Sequence, residues 1–231
     1  MKRIMTLLLV ASLLLTPCAA FAQGTLGGAL GGLLGGNAAT EEAAAPVTLY
    51  TLTEAGITVE LPEEWMVLTT EPDQESIIPI LFGASKEDCI DAFLTPTGGH
   101  LYAITDLATF GQMFVVSAEG MPLVDMRVDK MEMDLDAFML GFVQGFTQSI
   151  PEEDIVSCDS FTTEVAHFAR ILFNADDGEG GKMLNVQYCT NVNGKIYLIQ
   201  YIATTPEISE ETLTILDTVA SSLKFIETVT K

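Results

Sequence analysis

The side chains most able to do chemistry together lie in Asn174-Ala175-Asp176-Asp177-Gly178-Glu179-Gly180-Gly181-Lys182. Asn174, Asp176, Asp177 and Glu179 offer hard oxygens of the kind that Ca²⁺ collects in a flexible shell. The run lacks the ligand spacing and the closing bidentate glutamate of an EF-hand loop. It therefore reads as a solvated hairpin tip, with a Ca²⁺-stabilised structural module as the alternative.

A second group, Asp159, Glu164 and His167, lies close enough in sequence to serve a secreted hydrolase if the fold gathers it. The chain has only two histidines, His100 and His167, so a histidine-activated nucleophile has few possible members. No serine stands in a Gly-x-Ser-x-Gly turn and no phosphate loop is present. Beyond the first 22 residues lie Cys89, Cys158 and Cys189, an odd number at long spacings that matches neither a Cys-x-x-Cys metal site nor a disulfide framework. Buried free thiols are the preferred reading, and Cys158 with Cys189, both in predicted strands, is the candidate disulfide for an oxidising compartment.

The single tryptophan, Trp65, follows Glu63 and Glu64, with Glu60 upstream. Acids beside an aromatic ring suggest a carbohydrate platform. A glycosidase, however, needs two carboxylates across the scissile bond, and neighbours on one turn do not provide that separation. Pro62-Glu63-Glu64-Trp65 is expected to be a turn whose acids face water while the indole packs inward.

The elements that must position these residues are legible from periodicity. Val47 to Leu52 and Ile57 to Leu61 form an opening hairpin around Gly56, and Pro62 ends the pairing before an extended run from Trp65 to Thr69. Ser85-Lys86-Glu87-Asp88 has the form of a capping box and starts a short helix that Pro96 and Gly98-Gly99 stop. His100 to Thr105 and Gln112 to Ala118 read as a second hairpin. Leu135, Phe138, Met139, Phe142, Val143 and Phe146 recur as the stripe of an amphipathic helix, read as core rather than a cofactor groove.

Ile155 to Thr163, Phe168 to Asn174, Lys182 to Thr190 and Lys195 to Ala203 are predicted strands, the last two joined through Asn193-Gly194, a strong hairpin signal. Ile196, Leu198 and Ile202 alternate with Tyr197, Ile199 and Tyr201, so that strand should be covered on both faces. Ser209-Glu210-Glu211 caps a last helix with the buried stripe Leu213, Leu216, Val219, Ala220 and Leu223. The order predicts an α+β fold, a mainly antiparallel sheet sandwiched by helices.

The N-terminal segment has a different character. Met1-Lys2-Arg3, the apolar run Ile4 to Leu15 and Ala20-Phe21-Ala22 before Gln23 make residues 1–22 a secretory signal peptide. Lipidation of Cys18 is the lesser reading, because Pro17 precedes it where a small residue is wanted. Residues 23–46, with Gly27, Gly31 and Gly35 in a Leu-Gly-Gly repeat, read as a flexible Gly/Ala-rich linker that is too short and glycine-rich to span a bilayer. Residues 47–231 then make one domain. The formal net charge of −22 repels phosphate backbones and anionic membranes, which disfavours nucleic-acid binding. The expected setting is secreted or cell-envelope, with no membrane span in the mature chain.

The stretches "ITVELPEEWMVL", "NGKIYLIQYIAT" and "LDTVASSLKF", in this order of elements, resemble the PsbP-like fold of photosystem extrinsic subunits, a Ran-binding import factor and several exported bacterial proteins. The likeness spans Val47 to Ile226, and its motifs are structural, so it transfers no catalytic residues. It implies a non-enzymatic binding or assembly module for a protein partner or small ligand, without a cofactor.

Overall fold

A computed structural model describes residues 46–106, 111–122, 124–130, 141, 150–176, 178, 180–203 and 205–226. The leader 1–22 with Cys18, nearly all of the linker 23–46 and the apolar stripe over 135–146 lie outside the described residues.

The chain opens with β1 (Val47–Leu52) and β2 (Ile57–Pro62), paired from Val47↔Pro62 to Leu52↔Ile57 around a turn in which Gly56 takes φ +75°. Ile57, Val59 and Leu61 alternate inward and are fully buried. Pro62 lacks an N–H and closes the ladder. A turn then carries the chain into a different sheet as β3 (Met66–Thr69).

Two short helices follow. α1 (Ile78–Phe82) has no counterpart among the sequence expectations; Pro79 lies in its first turn and Gly83, at φ +63°, stops it. α2 (Lys86–Phe93) has the anticipated capping box: Ser85 Oγ accepts from Asp88 N at 3.0 Å and the Asp88 carboxylate accepts from Ser85 N at 3.2 Å.

The large sheet is completed by β4 (Gly99–Asp106), β5 (Gly111–Glu119), β6 (Ile155–Thr162), β7 (His167–Asp176), β8 (Lys182–Val192) and β9 (Lys195–Ile202). Asn193 and Gly194 both take positive φ, 52° and 72°, as a two-residue type I′ turn between β8 and β9 requires. α3 (Glu210–Ser222), capped by Ser209, leads into β10 (Lys224–Phe225). Among the described residues there are two sheets, β1-β2-β10 and β3-β4-β5-β9-β8-β7-β6, and every pairing within them is antiparallel. The fold is thus the expected α+β class, but one cover of the large sheet is itself partly a sheet.

Residues alternate across the large sheet into two cores. On one face Val67, Leu101, Val115, Phe168, Val186 and Ile199 pack against β2 and the Leu216, Val219 and Ala220 stripe of α3. On the other, Leu68, Tyr102, Phe114, Ile171 and Leu198 pack with Ile78 of α1 and Phe93 of α2, where Phe93 and Tyr102 stack at 4.7 Å. β9 is buried on both faces, as its two apolar rows require.

Candidate functional site

The crossing from β2 to β3 places Trp65. Its backbone N–H donates to Pro62 O at 3.1 Å, and Glu63 N donates to Pro46 O at 3.0 Å, so the Glu63-Glu64 turn is held at both ends. The indole is carried between the small sheet and the large one, where it is 8% exposed and part of the first core. The remaining exposure opens into a cleft of about 340 Å³ between the ends of β4 and β9 and the start of α3.

Trp65, Tyr201, Ala203, Ile208 and Ile215 give this cleft apolar walls, and Glu64, Asp106 and Glu207 bring carboxylates to it. Thr105, Thr205, Ser209 and Thr212 contribute hydroxyls. Burial raises the Tyr201 phenol above its ordinary value, so it stays a neutral hydrogen-bonding group at physiological pH. Gly111 is required beside it: a Cβ there would meet Thr105 Oγ1 at 2.5 Å and the Tyr201 hydroxyl at 2.7 Å. An apolar body with a few polar groups at its edge is the composition of small-ligand sites.

A wider hollow of about 590 Å³ lies by the β6–β7 turn and the end of α3. It is lined by Glu60, Thr162, Thr163, Glu164, Thr218, Ser221 and Ser222. The described residues that line it are threonines, serines and glutamates, so it lacks the aromatic and branched aliphatic side chains that wall the Trp65 cleft. The smaller Trp65 cleft is the better site on that ground.

The sequence candidates fare differently. Thr162 pairs with His167 and Asp159 with Arg170 in an unbroken register. His167 and Arg170 are three positions apart on one strand, so they point to opposite faces. Asp159 accordingly faces Arg170 Nη2 at 3.6 Å, whereas His167 Nδ1 lies 2.9 Å from Thr162 Oγ1. Glu164 is on the rim of the wide hollow. The hydrolase grouping of Asp159, Glu164 and His167 is therefore corrected: the sheet puts Asp159 and His167 on opposite faces, and Asp159 is paired with Arg170.

The Cys158–Cys189 disulfide is corrected as well. The two are not joined to one another, and β7 runs between their strands. Strands two places apart are separated by roughly 9–10 Å, beyond the reach of a disulfide between Cα atoms. Burial first, then the Asp159 charge, pushes the Cys158 thiol up to about 11, which leaves it protonated and a poor nucleophile.

At the β7–β8 tip, Asp176 pairs with Lys182 at 3.2 Å, and the same ammonium reaches Asp154 at 2.9 Å. A lysine thus already supplies a cation at Asp176. Asn174 Oδ1 is buried without a hydrogen-bond partner among the described residues, and Asp177 and Glu179 lie outside them. Among the described residues no group of three or more His, Cys, Asp or Glu side chains is placed to hold a metal ion.

Arg170 is instead the centre of a structural clamp. Its Nη1 donates to both Asp217 oxygens, at 3.0 and 2.9 Å, and its guanidinium lies 5.7 Å from the Phe161 ring centroid. The Tyr188 hydroxyl also donates to Asp217. One carboxylate on α3 thereby fixes the helix to β7 and β8. The sequence reading missed this clamp and the cleft walls, because their members come from segments far apart in the chain. The one local signal was Glu64-Trp65.

No protein-family model matches the chain, and no curated protein matches it. Among solved structures it is similar to the cyanobacterial PsbP of Synechocystis sp. PCC 6803, at 13% identity and a TM-score of 0.44 over 82% of this chain and 98% of that one. It is similar to the Ran-binding protein Mog1p of Saccharomyces cerevisiae, at 10% identity and a TM-score of 0.41 over 80% of this chain and 97% of that one. A Bacteroides thetaiotaomicron protein is similar at 8% identity and a TM-score of 0.38, over 74% of this chain and 45% of that one. These likenesses carry no residue roles to this chain.

Proposed function

We propose that this chain is an exported, non-enzymatic binding module that holds a partner protein or small ligand in the Trp65 cleft, at the bacterial cell envelope or outside the cell. The observation that carries this reading is the cleft itself: the one tryptophan of the chain is built into the core and still opens into a cleft of about 340 Å³. A purely structural tryptophan needs no such opening. Export rests on the basic, apolar and small-residue order of residues 1–22.

The test is a photo-crosslinking residue placed at Thr205 on the exposed wall, with a second placed at Glu87 on the far side as a control, each in the full chain in its own cells. The reading expects the protein in the extracytoplasmic fraction and a discrete adduct from position 205 that position 87 does not form. Cytoplasmic retention, or the same adducts from both positions, would count against it.

A further inference from the structure

We infer that the Trp65 cleft selects an aliphatic cation: a protonated amine or guanidinium carried on a short apolar stem. This rests on the binding role proposed above and specifies its ligand class. Among the described residues the lining contains three carboxylates, Glu64, Asp106 and Glu207, and no lysine or arginine. The same lining holds two aromatic side chains, Trp65 and Tyr201, and the aliphatic Ile208 and Ile215. A cation over an aromatic face is attracted by the ring quadrupole, most strongly over tryptophan, while its methylene stem is matched by the isoleucine wall.

One local feature opposes this choice. α3 begins at the cleft, and a helix N-terminus favours anions. Here that end is already answered: Ser209 caps it by accepting from Thr212 N at 3.0 Å, and Glu210 and Glu211 occupy its first turn. The balance at the cleft is negative. A volume of about 340 Å³ admits one side chain or a small molecule and excludes a folded domain. A lysine or arginine side chain of a polypeptide and a free organic amine share the chemistry described.

Because Trp65 is the single tryptophan, fluorescence of the purified protein under tryptophan-selective excitation, which leaves the five tyrosines silent, reports on this indole. The probes are Nα-acetyl-lysinamide, Nα-acetyl-argininamide and the neutral isostere Nα-acetyl-norleucinamide. The inference expects saturable shifts with the first two, none with the third at equal concentration, and weakening as ionic strength rises. Replacing Glu64→Gln and Glu207→Gln together, both exposed and outside the core, should weaken binding about tenfold. Agmatine and a lysine-containing decapeptide then separate the sources: tighter binding of the peptide assigns a polypeptide side chain, and tighter binding of agmatine a free amine.

Equal binding of norleucinamide would overturn the cationic class, as would no saturable response to any of these probes. A position-205 adduct that persists beside either result would show that the binding role survives and only its ligand class has failed.

Discussion

The two faces of the seven-stranded sheet are built by the same strands and differ in the polar groups they bury. On the face toward α3 and the small sheet, Arg170, Tyr188 and Asp217 close on one another, although Arg170 Nε has no partner among the described residues, and the Tyr197 hydroxyl donates to Ala55 O at 3.1 Å. On the other face Asn185, Gln187 and Gln200 stand in the middle of a hydrocarbon core, each at most 1% exposed. Gln200 Nε2 donates to Asn185 Oδ1 at 3.0 Å, but Asn185 Nδ2 and both polar atoms of Gln187 have no partner among the described residues. The cleft opens at the end of the face that carries the Arg170, Tyr188 and Asp217 clamp.

The sharpest test uses two side chains of β8 that share the amide face. Asn191 is answered on every side: Nδ2 donates to Met121 O at 3.0 Å and Val124 O at 2.6 Å, and Oδ1 accepts from Met121 N at 2.8 Å. Asn191→Ala would strip Met121 N and Val124 O, in half-buried residues, of these partners, while Met121 O keeps the Val124 N–H at 3.2 Å, and it would leave a void at a fully buried position, so urea unfolding should show a loss of about 3 kcal/mol. A loss below about 1 kcal/mol would mean that the loop over β8 is held by something else.

On the braced face, Asp217→Ala strips the partner from Arg170 and Tyr188 together. The Arg170 and Asp217 side chains are 22% and 29% exposed, so water recovers part of the loss. The expected cost is about 2 kcal/mol, and Arg170→Ala in the same background should add little if the two act as one unit. Full additivity in that double-mutant cycle would break the clamp apart.

Gln187→Met is expected to move the other way. It removes two unanswered polar atoms from a fully buried position at nearly constant volume. The gain is about 1 kcal/mol, read as a higher urea midpoint at unchanged m-value. A clear destabilisation would reveal that this amide is hydrogen-bonded in solution.

The smallest effect is a pH dependence. Burial lowers the His100 imidazole below its ordinary value, with Glu54 opposing and Lys195 assisting. Its unfolded form takes a proton near pH 6.5 that the folded form resists. Its contribution is therefore present above that pH and fades as pH falls toward the lowered folded value. His167, also lowered by burial, acts with the same sign. Carboxylates such as Asp125, where hydrogen bonds from Arg127 outweigh the effect of burial, are held below their ordinary range and titrate at lower pH. Melting curves between pH 7.5 and 5.5 should fall less in His100→Gln than in the parent; equal slopes would remove His100 from the account.

How much of this was legible depended on whether a feature is local. The Asn193-Gly194 turn, the Ser85 and Ser209 caps and the double apolar row of β9 are decided within a few residues, and the structure has them where the patterns put them. α1 escaped notice because its five residues, Ile-Pro-Ile-Leu-Phe, have no polar face from which to read a period. Ile80 is left 79% exposed there, so burial gives no signal either. The pairing of Cys158 with Cys189 failed because strand order across a sheet is set by long-range contacts; membership of two strands does not make them neighbours.

Trp65 shows the same limit at the site. Adjacent acids and Pro62 fixed it as a turn residue packing inward, which it is. The sequence did not show that residues 105–106 and 201–215 would close round it, since no periodicity links segments so far apart. Core residue and cleft wall proved to be one role, because the same crossing between sheets produces both.

The most direct measurement follows the indole ¹H–¹⁵N resonance of Trp65, a single peak because the chain has one tryptophan, during titration with a fractionated envelope extract of the native cells. The account predicts that the peak shifts or broadens with a saturable dependence, and that Ile208→Arg, which fills the cleft, abolishes the effect while leaving the backbone spectrum folded. A Trp65 peak that stays fixed while amide resonances elsewhere on the surface move would contradict it, by placing the binding surface away from this cleft.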